Sequence, residues 1–280
     1  MKERLLSEIH KLDDNVKQLK TVYDPNDIRV SFFEYIYTIL AFYYQNLCFV
    51  TNSEDFLKAH KEISKKPELS IRDLKQLDIP KFYEISNNSK MLLDSWSMFE
   101  LAVTLLSDRF VSINEKEDIL NKNYNDIKKI FPQLDCNQDE KLKKKLQKKH
   151  FTLSSINDKY NKLFKLIELN YNKIRDLSTD KIFLENLGCL RNGIHSNYIY
   201  FGNSRLPFVF KDFSVTFENG KTIKFDYKDG VERDDVILDL VLELCEIFTC
   251  LIDSIGNKSC VDNPASNLYE IVKGERPTKK

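Results

Sequence analysis

The chain has 280 residues, with 43 Lys+Arg balancing 43 Asp+Glu, 42% hydrophobic residues and only 7 Gly and 7 Pro. That length can bury one large core or two small ones, and so few Gly and Pro exclude collagen-like, low-complexity and turn-dense all-β classes. Zero formal net charge excludes a globally basic nucleic-acid coat but leaves room for a local basic patch.

Residues 1 to about 22 carry Leu5, Ile9, Leu12, Val16 and Leu19 at three- and four-residue spacing, the signature of one buried helix face. Asp24-Pro25 offers a cap and a first-turn proline for a second helix over about 26–50, whose Phe32, Tyr35, Ile36, Ile39, Phe42, Tyr43 and Leu47 give a broad apolar face. This is the most hydrophobic run. Glu34, Gln45 and Asn46 interrupt it, so a core helix is expected rather than a membrane span. A short polar helix is expected at 54–65, broken by Lys66-Pro67, with a capped turn from Ser70 to Asp73 that ends at Ile79-Pro80. Ser89 to Val111 is apolar around most of its circumference and predicts a central helix containing Trp96. Weaker helical pieces follow over 115–130, and then a lysine-rich run over 141–150.

Ser155 opens an amphipathic helix through Ile156, Tyr160, Leu163, Ile167, Tyr171 and Ile174. Thr179 is placed to cap the next, which runs through Leu187 and Leu190 into Arg191. The period then drops to two. Phe213, Val215 and Phe217 alternate, Asn219-Gly220 supplies a turn, and Ile223, Phe225 and Tyr227 alternate back, predicting a β-hairpin within 206–228. Asp234 starts a last helix to about Ile255, with Asp239, Glu243, Glu246 and Asp253 as its wet stripe. The expected fold is mostly α, an antiparallel helical bundle with a small β-hairpin inserted before the last helix. The expected division is an N-terminal helical layer over 1–80, the bundle over 81–256 and a loosely packed polar tail over 257–280.

Six cysteines form no Cys-x-x-Cys pair, and four histidines show no ligand-like spacing, so neither a metal nor a cofactor is expected. Cys48, Cys189, Cys245 and Cys250 lie in apolar helical stretches, as reduced buried thiols do. With no apolar signal segment in the first residues, a reduced, cytoplasmic protein is expected.

The chemistry-bearing segment is Leu190-Arg191-Asn192-Gly193-Ile194-His195. If the helix continues through it, Arg191 and His195 stand one turn apart on one face, with Ile194 turned toward the core. An imidazole can move protons to or from a ribose 2′-hydroxyl or a leaving oxygen. A guanidinium can grip the phosphate and stabilise developing charge, and Asn192 can orient either group. Gly193 allows a backbone or a phosphate to come close. Equally, Arg191 and Asn192 can cap the carbonyls that end the helix, with His195 fixing the loop beyond.

An Arg-Asn pair closely followed by His, at the end of an apolar helix in an all-helical bundle, resembles the HEPN superfamily (higher eukaryotes and prokaryotes nucleotide-binding). The resemblance covers roughly Ser89 to Ile255 and rests chiefly on Arg191, Asn192 and His195. It implies a metal-independent endoribonuclease of toxin–antitoxin or antiviral defence systems, with RNA as substrate and a homodimer that sets two motifs across one cleft. The usual signature has more residues between Arg and His than the three found here. The alternative is a non-catalytic helical module of the same fold that binds a protein partner or a nucleotide. For RNA, Lys143, Lys144, Lys145, Lys148 and Lys149 of the basic run could hold phosphates, and Tyr198, Tyr200 and Phe201 could stack on bases. The bland reading of the lysines is a solvated face, and of the aromatic residues, core packing.

Overall fold

Apolar positions repeating every three or four residues become seven helices, and the alternating stretch becomes three strands, among the described residues. The computed structural model of the chain describes residues 2–52, 79–130, 155–228, 230, 233–256 and 258–264. In order the elements are α1 (Lys2–Leu19), α2 (Ile28–Asn52), α3 (Ile79–Phe110), α4 (Ile113–Ile130), α5 (Ile156–Tyr171), α6 (Leu177–His195), β1 (Phe208–Phe210), β2 (Phe213–Thr216), β3 (Lys224–Tyr227) and α7 (Arg233–Ile255). The chain is mostly helical, with a small antiparallel sheet before its last helix. No helix among the described residues is long and apolar enough to cross a membrane. The expected elements at 54–65 and Ser70–Asp73, the lysine-rich run at 141–150, and everything beyond 264 lie outside the described residues.

Several element ends differ from their expectation, each for a local reason. Pro80 opens α3 rather than closing a turn, as a proline suits a first helical turn, where its missing N–H has no partner to lose. Asp27, not Asp24, caps α2: its carboxylate accepts the Arg29 backbone N–H at 2.9 Å, while Asp24 accepts from Asn26 in the preceding turn. Asp176 replaces Thr179 as the cap of α6, accepting from the N–H groups of Ser178 and Thr179. α5 stops at Tyr171, which leaves Ile174 58% exposed instead of in the apolar stripe.

The chain divides into two compact units. One comprises Met1–Gln18, Phe33–Met98 and Phe183–Glu246, the other Leu19–Phe32, Phe99–Ile182 and Ile247–Lys280, so each draws on both sides of residue 80. In the first, Leu5, Ile9, Leu12 and Val16 are buried as their spacing requires. Asp239 of α7 binds both Arg4 of α1 and Lys211 of the β1–β2 turn. The sheet has the order β1-β2-β3, so the expected two-stranded hairpin has gained a strand.

In the second unit the start of the expected loose tail is firmly held. Asp27 and Arg29 form a fully buried ion pair, with Nε and Nη2 of Arg29 donating to the two carboxylate oxygens at 2.8 and 2.6 Å. Asp27 also accepts the Val261 N–H at 2.9 Å, and Arg29 donates to the Ser259 carbonyl at 2.7 Å. The Val261 carbonyl in turn accepts the Ile28 N–H at 2.8 Å. Residues 259–263 thus complete the N-terminal cap of α2. Elsewhere in this unit Tyr171 and Arg175 converge on buried Asp180, with Arg175 bidentate at 2.8 Å to each oxygen. Phe32, Phe99 and Phe248 pack the apolar part.

Burial alone would push the Asp27 carboxyl up; hydrogen bonds from Arg29 and Val261 outweigh it and hold the group below its ordinary value. Its contribution to stability is therefore complete above the unfolded-state value and is lost as pH falls through the lower folded-state one. Asp27→Asn, which leaves a buried guanidinium without its counter-charge, is expected to cost about 3–5 kcal/mol in urea unfolding at pH 7. The wild-type midpoint should also drop more steeply than the variant's below about pH 4.

Candidate functional site

α6 continues without a break through the Arg-Asn-x-x-His segment and ends on His195. Arg191 and His195 are therefore one turn apart in its last turn, at the end where the helix dipole favours cations. His195 and Asn192 are exposed, and Arg191 is half-buried. The Arg191 Nη1 donates to the Asn192 side-chain oxygen at 2.9 Å.

The backbone closes this helix end. The Ser196 N–H reaches the carbonyls of Asn192 and Gly193 at 3.1 and 3.0 Å, and the Tyr198 N–H reaches the Gly193 carbonyl at 2.7 Å. That six-residue closure, with Asn197 at φ 54° in the left-handed region, is a Schellman-type ending. The carbonyls of Asn192 and Gly193 thus have backbone donors.

Ile194 is only half-buried; Leu190 and Gly193 carry the inward face instead. Gly193 has a different use from the one expected. A Cβ there would lie 2.0 Å from Ile223 Cδ1, so the space over the glycine is filled by a side chain from the residue just before β3 and not left for a phosphate. Gly188, five residues back, lies against the indole of Trp96, where a Cβ would be 3.4 Å from the ring. Tyr198 beyond the helix meets Ser89 of α3. With Trp96 beside Gly188 and Ser89 beside Tyr198, α3 and α6 run antiparallel along this stretch.

The hairpin differs from a two-residue Asn-Gly turn. Thr216 pairs with Lys224, and the seven residues between them form a wide loop. Only Gly220 takes positive φ, at 72°, while the Lys221 N–H closes on the Glu218 carbonyl at 3.0 Å. A type I′ turn would need positive φ at Asn219 as well. The wide loop instead receives the chain that follows the motif. The Ile223 N–H bonds the Tyr198 carbonyl at 2.7 Å, the Tyr200 N–H bonds Lys221 at 3.0 Å, and the Arg205 N–H bonds Phe217 at 3.2 Å.

The aromatic candidates separate accordingly. Tyr200 is buried against Phe217, with its hydroxyl donating to the Asn203 carbonyl at 3.1 Å. Tyr198 is half-buried, edge-on to Phe225 at 6.3 Å between centroids. Phe201 is 71% exposed. Lys143, Lys144, Lys145, Lys148 and Lys149 lie outside the described residues. His10 is an exposed residue on α1. None of the five described cysteines is in a disulfide; burial pushes the Cys245 thiol far up, which makes it a poor nucleophile. No group of three or more His, Cys, Asp or Glu is placed to hold a metal ion among the described residues.

Ile223 and Ser89 are contributors that the sequence does not single out. Neither belongs to a local motif; the available clue was a glycine in the last turn of an otherwise regular helix, a place where something has to come close. No family model, no curated protein and no solved structure matches this chain.

Gly193 is helical, so alanine there would gain about 1 kcal/mol of helix propensity if space allowed. In the wild type the clash with Ile223 outweighs this, and Gly193→Ala is expected to destabilise by about 1–3 kcal/mol in urea unfolding. In an Ile223→Val background, which lacks Cδ1 and keeps a Cγ at 3.2 Å, the same substitution should cost markedly less.

Proposed function

We propose that this chain is a metal-independent, HEPN-like endoribonuclease, acting in the cytoplasm as a toxin or antiviral defence effector. The observation that carries the reading is the last turn of α6, where an exposed imidazole and an Asn-held guanidinium occupy one helix face a turn apart. Arg191 would bind the scissile phosphate and stabilise its developing charge. His195 would be the proton-transfer residue and Asn192 the group that orients Arg191. In cleavage, the proton of the ribose 2′-hydroxyl passes to an imidazole as the O2′–P bond forms. The P–O5′ bond then breaks, and the leaving oxygen takes a proton from a second imidazole. One motif supplies one imidazole, and the homodimer that the resemblance to HEPN proteins implies would supply the second. The lysines of 141–150 and the exposed Phe201 ring are the candidates for holding the rest of the strand. An antitoxin protein belongs to the same reading.

A second reading, a non-catalytic protein-interaction module, is favoured by one observation. Phe201, Leu206 and Val209 expose 71%, 88% and 69% of their surface in the same unit as the motif. Single exposed apolar residues are ordinary, but three within nine positions are what a partner surface would use.

Incubation of the purified chain with total RNA in EDTA separates the two readings. The ribonuclease reading expects cleavage, with a loss of about 10²–10⁴-fold in His195→Ala and a similar loss in Arg191→Ala, while circular dichroism stays unchanged. Undiminished cleavage by His195→Ala would contradict the mechanism.

A further inference from the structure

The geometry points to Tyr198 as a positioning residue: bonded to Ser89, it sets the last turn of α6 and, with it, the location of the His195 imidazole. This rests on the ribonuclease reading and names a residue through which the site is held in shape. The starting observation is conformational. Asn197 (φ 54°) is the ordinary left-handed residue of a helix ending, and asparagine tolerates it. Tyr198 follows it with φ 63°, a second left-handed residue in succession and one with a bulky side chain. Such a conformation persists only where the surroundings over-determine it.

Four restraints do so. The Tyr198 N–H bonds the Gly193 carbonyl at 2.7 Å. Its own carbonyl accepts the Ile223 N–H, also at 2.7 Å. Its hydroxyl shares a hydrogen bond with Ser89 Oγ on α3. Its ring stands edge-on to Phe225 of β3, at 73° between planes. One residue is thereby fixed to the end of α6, to the sheet and to α3 at once.

His195 lies inside the loop closed by the first of these bonds, between Gly193 and Tyr198. The Gly193–Tyr198 bond closes the loop that holds the His195 backbone, and the Ser89 bond anchors the Tyr198 end of it. Proton transfer is sensitive to placement at the scale of an ångström, so slack here is felt at the imidazole. Tyr198 touches neither the phosphate nor the proton; it acts through His195.

The test uses four variants of the full chain: Tyr198→Phe, which keeps the ring and loses the hydroxyl, Ser89→Ala, the double variant, and Ser89→Thr, which keeps a hydroxyl. RNA cleavage in EDTA should show kcat down about tenfold in each of the first two, with KM and circular dichroism unchanged. The double variant should fall no further, because both substitutions remove one bond. Ser89→Thr should retain the wild-type rate. Independently of activity, the His195 imidazole proton resonances should shift alike in Tyr198→Phe and Ser89→Ala. Wild-type kcat in either single variant, losses that multiply in the double variant, a change confined to KM, or an unmoved His195 resonance would each overturn the inference. A wild-type chain inert toward RNA would overturn the ribonuclease reading and this positioning role together, and is told apart because it precedes any comparison of variants.

Discussion

The missing side chain at Gly193 is the constraint around which the candidate site is arranged. The Ile223 side chain occupies the space a Cβ would need, and that contact brings the loop that leads into β3 against the last turn of α6. With that contact made, the wide loop between β2 and β3 can pair with the chain that leaves the motif, and Tyr198 can be held between helix and sheet. A residue with a Cβ at 193 would push Ile223 away and loosen each of these bonds in turn. The exposed His195 and half-buried Arg191 stand at the edge of this packed arrangement, with the Arg191 Nε itself buried.

The two units solve the problem of helix ends by different means. At the end of α6 the carbonyls are met by backbone N–H groups, which leaves side chains for other work. At the start of α2 the solution is ionic: a carboxylate and a guanidinium, both without solvent exposure, satisfy the helix N-terminus and the strand-like segment at 259–263. A buried pair of this kind adds little net stability over a well-packed apolar one but is costly to break on one side only. Its effect is to fix where residues 259–263 lie.

Much of the architecture was legible because it depends on periodicity. The α1 face of Leu5, Ile9, Leu12 and Val16, the all-round apolar α3 with Trp96 inside, and the alternation that becomes β2 and β3 all follow from the spacing of apolar residues. Helix ends were less legible because several neighbouring residues can cap and only tertiary contacts choose among them. Asp27 prevails over Asp24 because Arg29 and Val261 are there to bind it, and Val261 is more than two hundred residues away. Asp176 prevails over Thr179 by preceding it on the chain. The Arg-Asn-x-x-His segment was legible as a pattern, and its helical continuity as a consequence. Its supports were not, because Ser89 and Ile223 reach it only through the fold. The Asn-Gly pair announced a turn but not the register, which the chain after the motif decides by occupying the loop.

Arg191 and His195 stand one turn apart at the end of α6, and the proposed ribonuclease reading makes them a phosphate grip and a proton-transfer group. If they act on RNA through the ribose 2′-hydroxyl, the products carry a chemical record of it. Mass spectrometry of the ends produced from a defined oligoribonucleotide in EDTA reads that record directly. The account predicts 2′,3′-cyclic phosphate and 5′-hydroxyl ends, and no cut at a linkage whose ribose carries a 2′-O-methyl group. Ends bearing a 5′-phosphate, cleavage beside the methylated ribose, or an oligonucleotide left intact would contradict it.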